Sequence, residues 1–169
     1  MKRLFFLFML CSSLVSFDKS APKVLIFIKD GSPQFEYMLT NEVGKMSEVN
    51  IDEYAGFILP CMVVDLVSSE VITFFKKVAD KCKTIAAQAG SVALLAKTGI
   101  LNGKKYALNI DVSKTPDFKN GIYSGKGVIQ DGIIITSGTC PWLAKETGNK
   151  DGTSELTQTL IKVIKVKTK

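Results

Sequence analysis

The stretch "KTIAAQAGSVALLAKTGILNGKK", residues 83–105, decides the fold class. Its apolar run at residues 84–87 predicts a short buried strand, and residues 91–98 predict a helix. Gly99 follows that helix in the position that favours a left-handed cap. The residues that turn the strand into the helix carry neither a thiol nor an imidazole: Gln88, Ala89, Gly90 and Ser91.

Strand patterns recur on both sides of this stretch. Residues 23–29 and 54–60 are apolar runs of the kind that a parallel sheet buries on both faces. Residues 127–130 and 133–137 flank Asp131-Gly132, a strong signal for a two-residue hairpin turn. Together with residues 84–87, these segments predict a mostly parallel sheet that ends in a hairpin.

Helix patterns alternate with the strands. We expect helices over residues 35–46, after Ser68 or Ser69, and from Thr153 or Ser154 onward. This alternation predicts one α/β domain with helices on both faces of the sheet. The second helix repeats apolar residues at helical spacing up to Cys82, so we expect that cysteine in the core. Trp142, beside Pro141, either lines the pocket or fills the core, and we expect the core.

Ligands of such sheets bind beyond the carboxyl ends of the strands. The predicted functional edge therefore contains Ser32–Glu36, Cys61 and Met62, Gln88–Ser91, and Ser137–Trp142.

The first 21 residues have the pattern of an export signal and a short leader. Lys2 and Arg3 precede the apolar run 4–10, which is too short for a stable membrane span, and small residues follow it. We therefore expect a periplasmic or secreted protein whose domain is residues 22–169. After signal removal, we expect no membrane span. Lipidation of Cys11 is not expected, because Leu10 is not the small residue that such a site requires.

The charge and composition of the chain argue against several classes of function. The net charge of +6 falls to +4 without Lys2 and Arg3, and no basic stripe with interleaved aromatics indicates nucleic-acid binding. The chain has no histidine, which excludes Ser-His-Asp and Cys-His catalysis and every histidine-ligated metal site. We expect neither a metal nor another cofactor. The domain retains three cysteines, Cys61, Cys82 and Cys140, and their pairing is open among three possibilities.

Three segments resemble the PfpI/ThiJ family of the DJ-one superfamily. "KTIAAQAGSVALLA" with "TGILNGKK" is similar to the family pattern K-P-V-A-A-I-C-H-G-P-x-L-L-A followed by A-G-L-L-x-G-K. "IDEYAGFILP" resembles D-Y-D-A-L-V-L-P-G-G, and "GVIQDGIIITS" resembles V-V-V-D-G-x-L-I-T-S. The resemblance extends from Ile51 to the C-terminus. It implies a flavodoxin-like three-layer α/β/α sandwich with a class I glutamine amidotransferase-like topology.

The resemblance also implies a degenerate active site. The family's nucleophilic cysteine falls on Ala89 and its adjoining histidine on Gly90, while Cys61 and Met62 replace a glycine pair. The family's acid has no clear counterpart, because Pro33 stands about where a glutamate would align. Glu36 either reaches the pocket or is a solvated residue of a first helical turn. Ser91, beside Gln88, either helps to bind a small anion or caps its helix.

Only the short connection 30–54 separates the first two strands, where family members commonly fit an additional strand. Residues 23–29 would then form an apolar sheet edge, so we expect a homodimer or a covering segment there. The leading interpretation is an exported, catalytically inactive member that binds a small ligand or a protein. The rival is a thiol-dependent hydrolase, glyoxalase-like or redox protein that uses Cys61 or Cys140. Ser137 belongs to the expected pocket in either case.

Overall fold

A five-stranded sheet forms the centre of the computed structural model, which describes residues 22–27, 46–62, 64 and 67–167. In chain order, the strands are β1 Lys23–Ile26, β2 Tyr54–Leu59, β3 Thr84–Gln88, β4 Lys105–Tyr106, β5 Ile122–Tyr123, β6 Val128–Asp131 and β7 Ile134–Ser137. The large sheet has the order β1-β2-β3-β7-β6. All its neighbours are parallel except β6, which is antiparallel to β7. The separate β4–β5 ladder is parallel.

Four α-helices accompany these strands within the part of the chain that the structure describes. They are α1 Ser69–Asp80, α2 Ser91–Thr98, α3 Pro141–Thr147 and α4 Thr153–Lys167. Short 3₁₀ turns at Met46–Glu48 and Ile51–Glu53 lie directly before β2. The side chain of Ser68 accepts a hydrogen bond from the Val71 amide at 3.3 Å and caps α1, which confirms one of the two expected capping serines.

The helices cover the sheet on both faces. One core cluster joins α1 and α2 to the sheet through buried side chains such as Phe57, Phe75 and Leu95. The other cluster joins α4 to the opposite face through Ile135 and Leu160. The predicted flavodoxin-like three-layer α/β/α arrangement is therefore confirmed.

Gly56 in β2 explains how closely α4 packs on the sheet. A Cβ atom at this position would lie 2.8 Å from Cδ1 of Ile164 and 3.2 Å from Cδ1 of Leu160. Glycine normally weakens a strand interior, but here its missing side chain makes room for the helix. The close contact anchors the C-terminal helix next to the strands that carry the predicted functional edge.

The hairpin is confirmed, with a one-residue difference at the turn. Asp131 pairs with Ile134, so the connecting residues are Gly132 and Ile133 rather than Asp131 and Gly132. Gly132 has a φ of 63°, a conformation that glycine adopts without steric cost. The predicted helix 35–46 lies outside the described residues except for Met46, which begins a 3₁₀ turn.

The prediction that Cys82 belongs to the core is wrong. Helix α1 ends at Asp80, and Cys82 lies in the following turn with a φ of 54° and an exposed side chain. The amide of Cys82 donates to Ala79 and the amide of Lys83 donates to Val78. These two bonds form a Schellman motif, in which Cys82 occupies the position usually held by glycine. Helical spacing therefore stops before this residue.

Trp142 also lies outside the core, with 58% of its surface exposed. It belongs to α3, a helix without buried residues that begins with Pro141 in the first turn. The sequence patterns predicted neither this helix nor the β4–β5 ladder, because both are too short to show a period. No helix within the described residues has the length and apolar character that a membrane crossing requires.

Candidate active site

The strand-to-helix bend after β3 keeps the conformation of a nucleophile elbow. Ala89 lies at its apex with a φ of 49°, buried, and Gly90 is the N-cap of α2. The Ala89 amide donates to the Ser137 carbonyl at 2.7 Å, which fixes the bend against β7. A left-handed conformation costs an L-residue about 1–2 kcal/mol. This bend is thus maintained although the side chain at its apex is a methyl group.

Gly90 is in close contact with the chain that follows β2. A Cβ atom at this position would lie only 2.1 Å from the Met62 carbonyl oxygen. No L-side chain fits at that separation unless the backbone moves. The path of residues 60–62 is therefore compatible with glycine, and not with the histidine of the family pattern, at position 90.

The polar side chains around the bend are bonded within the chain. Gln88 Nε2 donates to the Thr139 carbonyl at 3.1 Å and to Thr153 Oγ1 at 2.8 Å. Ser137 Oγ donates to the same Thr139 carbonyl at 3.1 Å. Both side chains are buried. These bonds join β3 to the first residue of α4, and both β3 and β7 to the Thr139 carbonyl.

Ser91 does not cap α2. The N-cap is Gly90, and no side chain makes a capping hydrogen bond there. The Ser91 hydroxyl is buried and instead donates to the Pro60 carbonyl. Because the bond reaches the loop after β2, Ser91 fastens that loop to the elbow, and the predicted capping role is wrong.

Two thiols meet beside the elbow. Cys61 is partly exposed and Cys140 is buried, and the Cys140 side chain is near enough to Cys61 to act on the ionisation of its thiol. Burial, followed by the hydrogen bond and charge of Cys140, raises the pKa of Cys61 to about 12, although the Gly90 amide opposes this rise. Both cysteines are free thiols. Cys61 is thus held as the neutral thiol rather than activated as a thiolate.

The structure brings most of the predicted site together. Cys61, Met62, Ser137 and Cys140 all lie around Gln88–Ser91, as their positions after neighbouring strands predicted. Glu36 lies outside the described residues, so both interpretations of it stay predictions. Among the described residues, no cluster of three or more potential metal-binding side chains was found.

The sequence did not predict the hydrogen-bond acceptors, Thr139 and Thr153, that connect the site to the segments beside it. The Thr139 carbonyl accepts from Gln88, Ser137 and the Gly152 amide, and Thr153 accepts from Gln88. The carbonyl contacts have no signature in a single sequence. Thr153 was predicted only as the start of a helix. A hydroxyl at the first residue of a helix that packs on the sheet can also reach the strands.

Comparison with solved structures gives several distant likenesses. A DJ-1 superfamily protein from Agrobacterium tumefaciens is 16% identical, with a TM-score of 0.49 and coverage of 69% of this chain and 70% of that one. DJ-1beta of Drosophila melanogaster is 24% identical, with a TM-score of 0.46 and coverage of 69% and 68%.

A protein from Anabaena variabilis that contains DJ-1/ThiJ/PfpI-like and ferritin-like domains is 18% identical, with a TM-score of 0.46. The match covers 61% of this chain but only 32% of that two-domain protein. No curated protein matches the sequence. The sequence model of the DJ-1/PfpI family matches residues 39–145, well over half of the chain. The chain therefore belongs to the DJ-1/PfpI family.

Proposed function

We propose that this chain is a DJ-1/PfpI-family protein that performs no covalent catalysis at its elbow and acts by binding. One observation carries the proposal: the apex of the elbow is Ala89, a buried methyl group in the left-handed conformation. A methyl group has no lone pair with which to attack a carbonyl. The absence of histidine from the whole sequence also removes the most common general base.

Binding to a protein is better supported than binding of a small anion. The hydroxyl of Ser91 and the amide of Gln88 would have to hold the anion, and both are already bonded inside the chain. In contrast, Trp142 is exposed two residues after Cys140. Tryptophan is enriched among the residues that dominate protein interfaces. We therefore place the binding surface around α3.

Export and homodimer formation complete the proposal. The basic start and short apolar run of residues 1–21 support removal of a signal sequence before the domain functions. The position of β1 at one end of the sheet order supports pairing with a second copy through that strand.

A second candidate function is thiol-dependent catalysis by Cys61. It is favoured by the position of this thiol beside Gly90, whose amide belongs to the N-terminal end of α2 and lowers the thiol's pKa. Burial and Cys140 act more strongly in the opposite direction. At neutral pH, little thiolate would therefore be available for attack on a substrate.

Turnover measurements distinguish the two candidates. The purified full chain would be incubated with a reactive dicarbonyl and, separately, with a model peptide, next to its Cys61→Ser and Cys140→Ser variants. We expect all three proteins to give the rate of the buffer alone. Turnover by the unaltered chain that disappears in Cys61→Ser would overturn the binding proposal and establish the thiol enzyme.

A further inference from the structure

Cys61 and Cys140 approach the elbow from opposite sides. Cys61 follows β2 and Cys140 follows β7, and these strands pair with the two edges of β3. Strands on either side of a third lie about 10 Å apart. Cys140 nevertheless acts on the Cys61 thiol, so the two loops converge over the end of β3.

Backbone contacts hold both loops in this converged position. On the β2 side, the Pro60 carbonyl accepts from the Ser91 hydroxyl, and the Met62 carbonyl packs against Gly90. On the β7 side, the Ala89 amide donates to Ser137 at 2.7 Å. The loops that carry the two thiols are thus held at the elbow by contacts that do not involve the thiols themselves, which favours a reaction between them.

We propose that Cys61 and Cys140 form a reversible disulfide across the elbow, with a small-molecule disulfide such as oxidised glutathione as the oxidant. This inference goes beyond the proposed function, because it concerns the two loops and holds whether or not the protein turns over a substrate.

Exposure sets the order of the two exchange steps. Cys61 is partly exposed, so the small fraction of it that is ionised attacks one sulfur of oxidised glutathione slowly, and one glutathione leaves. Buried Cys140 then attacks the Cys61 sulfur as a thiolate, and the second glutathione leaves. The two protein thiols are oxidised, one glutathione disulfide is reduced, and both thiol protons end on the released glutathiones.

The disulfide would link the ends of β2 and β7 and close the carboxyl edge over Ala89. It would also close a long covalent loop, which constrains the unfolded chain. For a domain of this size, typical disulfide stabilisation corresponds to a rise in the melting temperature of about 10 °C. Oxidation would thus link the loops after β2 and β7 covalently, and reduction would remove that link.

The experiment exposes the reduced full chain to oxidised glutathione and then labels the remaining thiols with N-ethylmaleimide in denaturant. We expect a Cys61–Cys140 cross-linked peptide by mass spectrometry and a melting temperature about 10 °C higher than that of the reduced protein. Cys82→Ser is the matched control, because it removes an exposed cysteine away from the elbow. It should keep both the cross-link and the shift.

Cys61→Ser and Cys140→Ser should each lose the cross-link and the melting shift while keeping the circular dichroism of the reduced protein. Cys140→Ala serves as a second variant if a buried hydroxyl prevents folding. The proposal is overturned if Cys61 and Cys140 of the unaltered chain remain labelled after oxidation, or if Cys61 stays as a mixed disulfide with glutathione.

Discussion

Ala89 holds a backbone conformation that L-residues rarely adopt, and it does so without a reactive side chain. In an enzyme, the strain of an elbow is offset by the exposure of a nucleophile. Here the bend is stabilised by several contacts that it allows. The Ala89 amide donates to the Ser137 carbonyl, and Gly90 packs against the Met62 carbonyl. The bend is therefore part of the scaffold itself.

The same substitution at two buried alanines tests this conformation. Ala89→Gly removes a methyl group worth about 0.8 kcal/mol but relieves about 1–2 kcal/mol of left-handed strain, so we expect a change within about 1 kcal/mol. Ala87→Gly, two residues earlier in β3, brings no such relief and should destabilise by about 1–2 kcal/mol. Urea unfolding of both variants gives the comparison. Equal losses would show that position 89 is not strained.

Gly90 should tolerate no side chain. Gly90→Ala places a methyl carbon against the Met62 carbonyl, so we expect a loss of at least about 2 kcal/mol in the free energy of unfolding. Gly127→Ala is the control, because an added Cβ there meets nothing within 4 Å among the described residues. That variant should stay within about 0.5 kcal/mol of the unaltered chain. A neutral Gly90→Ala would mean that the loop 60–62 takes another path.

Cys61 should react slowly with alkylating agents at neutral pH. Its pKa is raised from 9.0 to about 12, so the thiolate fraction at pH 8 is about a thousandfold below that of a thiol with the model value. The rate of alkylation of reduced Cys61 by iodoacetamide, followed on its own peptide, should rise about tenfold per pH unit until pH 11. Cys140→Ser should speed the alkylation of Cys61, because it removes one cause of the raised pKa of Cys61. A plateau below pH 10 would contradict the raised pKa.

At the scale of elements, the segments with a clear sequence signal were predictable and those without one were not. The strands β1, β2 and β3 are apolar runs, β6 and β7 flank a turn signal, and the helices α1, α2 and α4 show helical spacing. Helix α3 and the β4–β5 ladder have no such signal. The same limit explains Cys82, since the pattern of α1 continues in sequence past the residue where the backbone leaves the helix.

The edge strand β1 carries a prediction about assembly. Among the described residues, β1 pairs with β2 alone, and Val24 and Ile26 are exposed. An apolar edge favours pairing with another chain, so we expect light scattering to give the mass of a dimer. Val24→Lys should shift the mass toward the monomer, whereas Val166→Lys on the outer surface of α4 should leave it unchanged. A monomeric unaltered chain would contradict the proposed dimer.

At the scale of the whole molecule, position along the strands predicted the site better than side-chain chemistry did. The carboxyl ends of the parallel strands β2, β3 and β7 lie at one edge of the sheet. The sequence therefore predicted that Cys61, Ala89 and Cys140, which follow these strands, lie near one another. The sequence could not predict which polar side chains form hydrogen bonds within the chain. Their acceptors, the Thr139 and Pro60 carbonyls, are backbone atoms, which any residue type supplies. The fold thus follows from apolar runs, helical spacing and turn signals, while the state of the site depends on tertiary contacts.

The central claim is that the elbow forms no covalent intermediate. Its most direct test is rapid acid quenching of the full chain during incubation with a reactive dicarbonyl, followed by intact-mass and peptide mass spectrometry. We predict an unmodified mass for residues 84–98 and for Cys61. A substrate-derived adduct on any of these residues that builds up and decays as product forms would contradict the account.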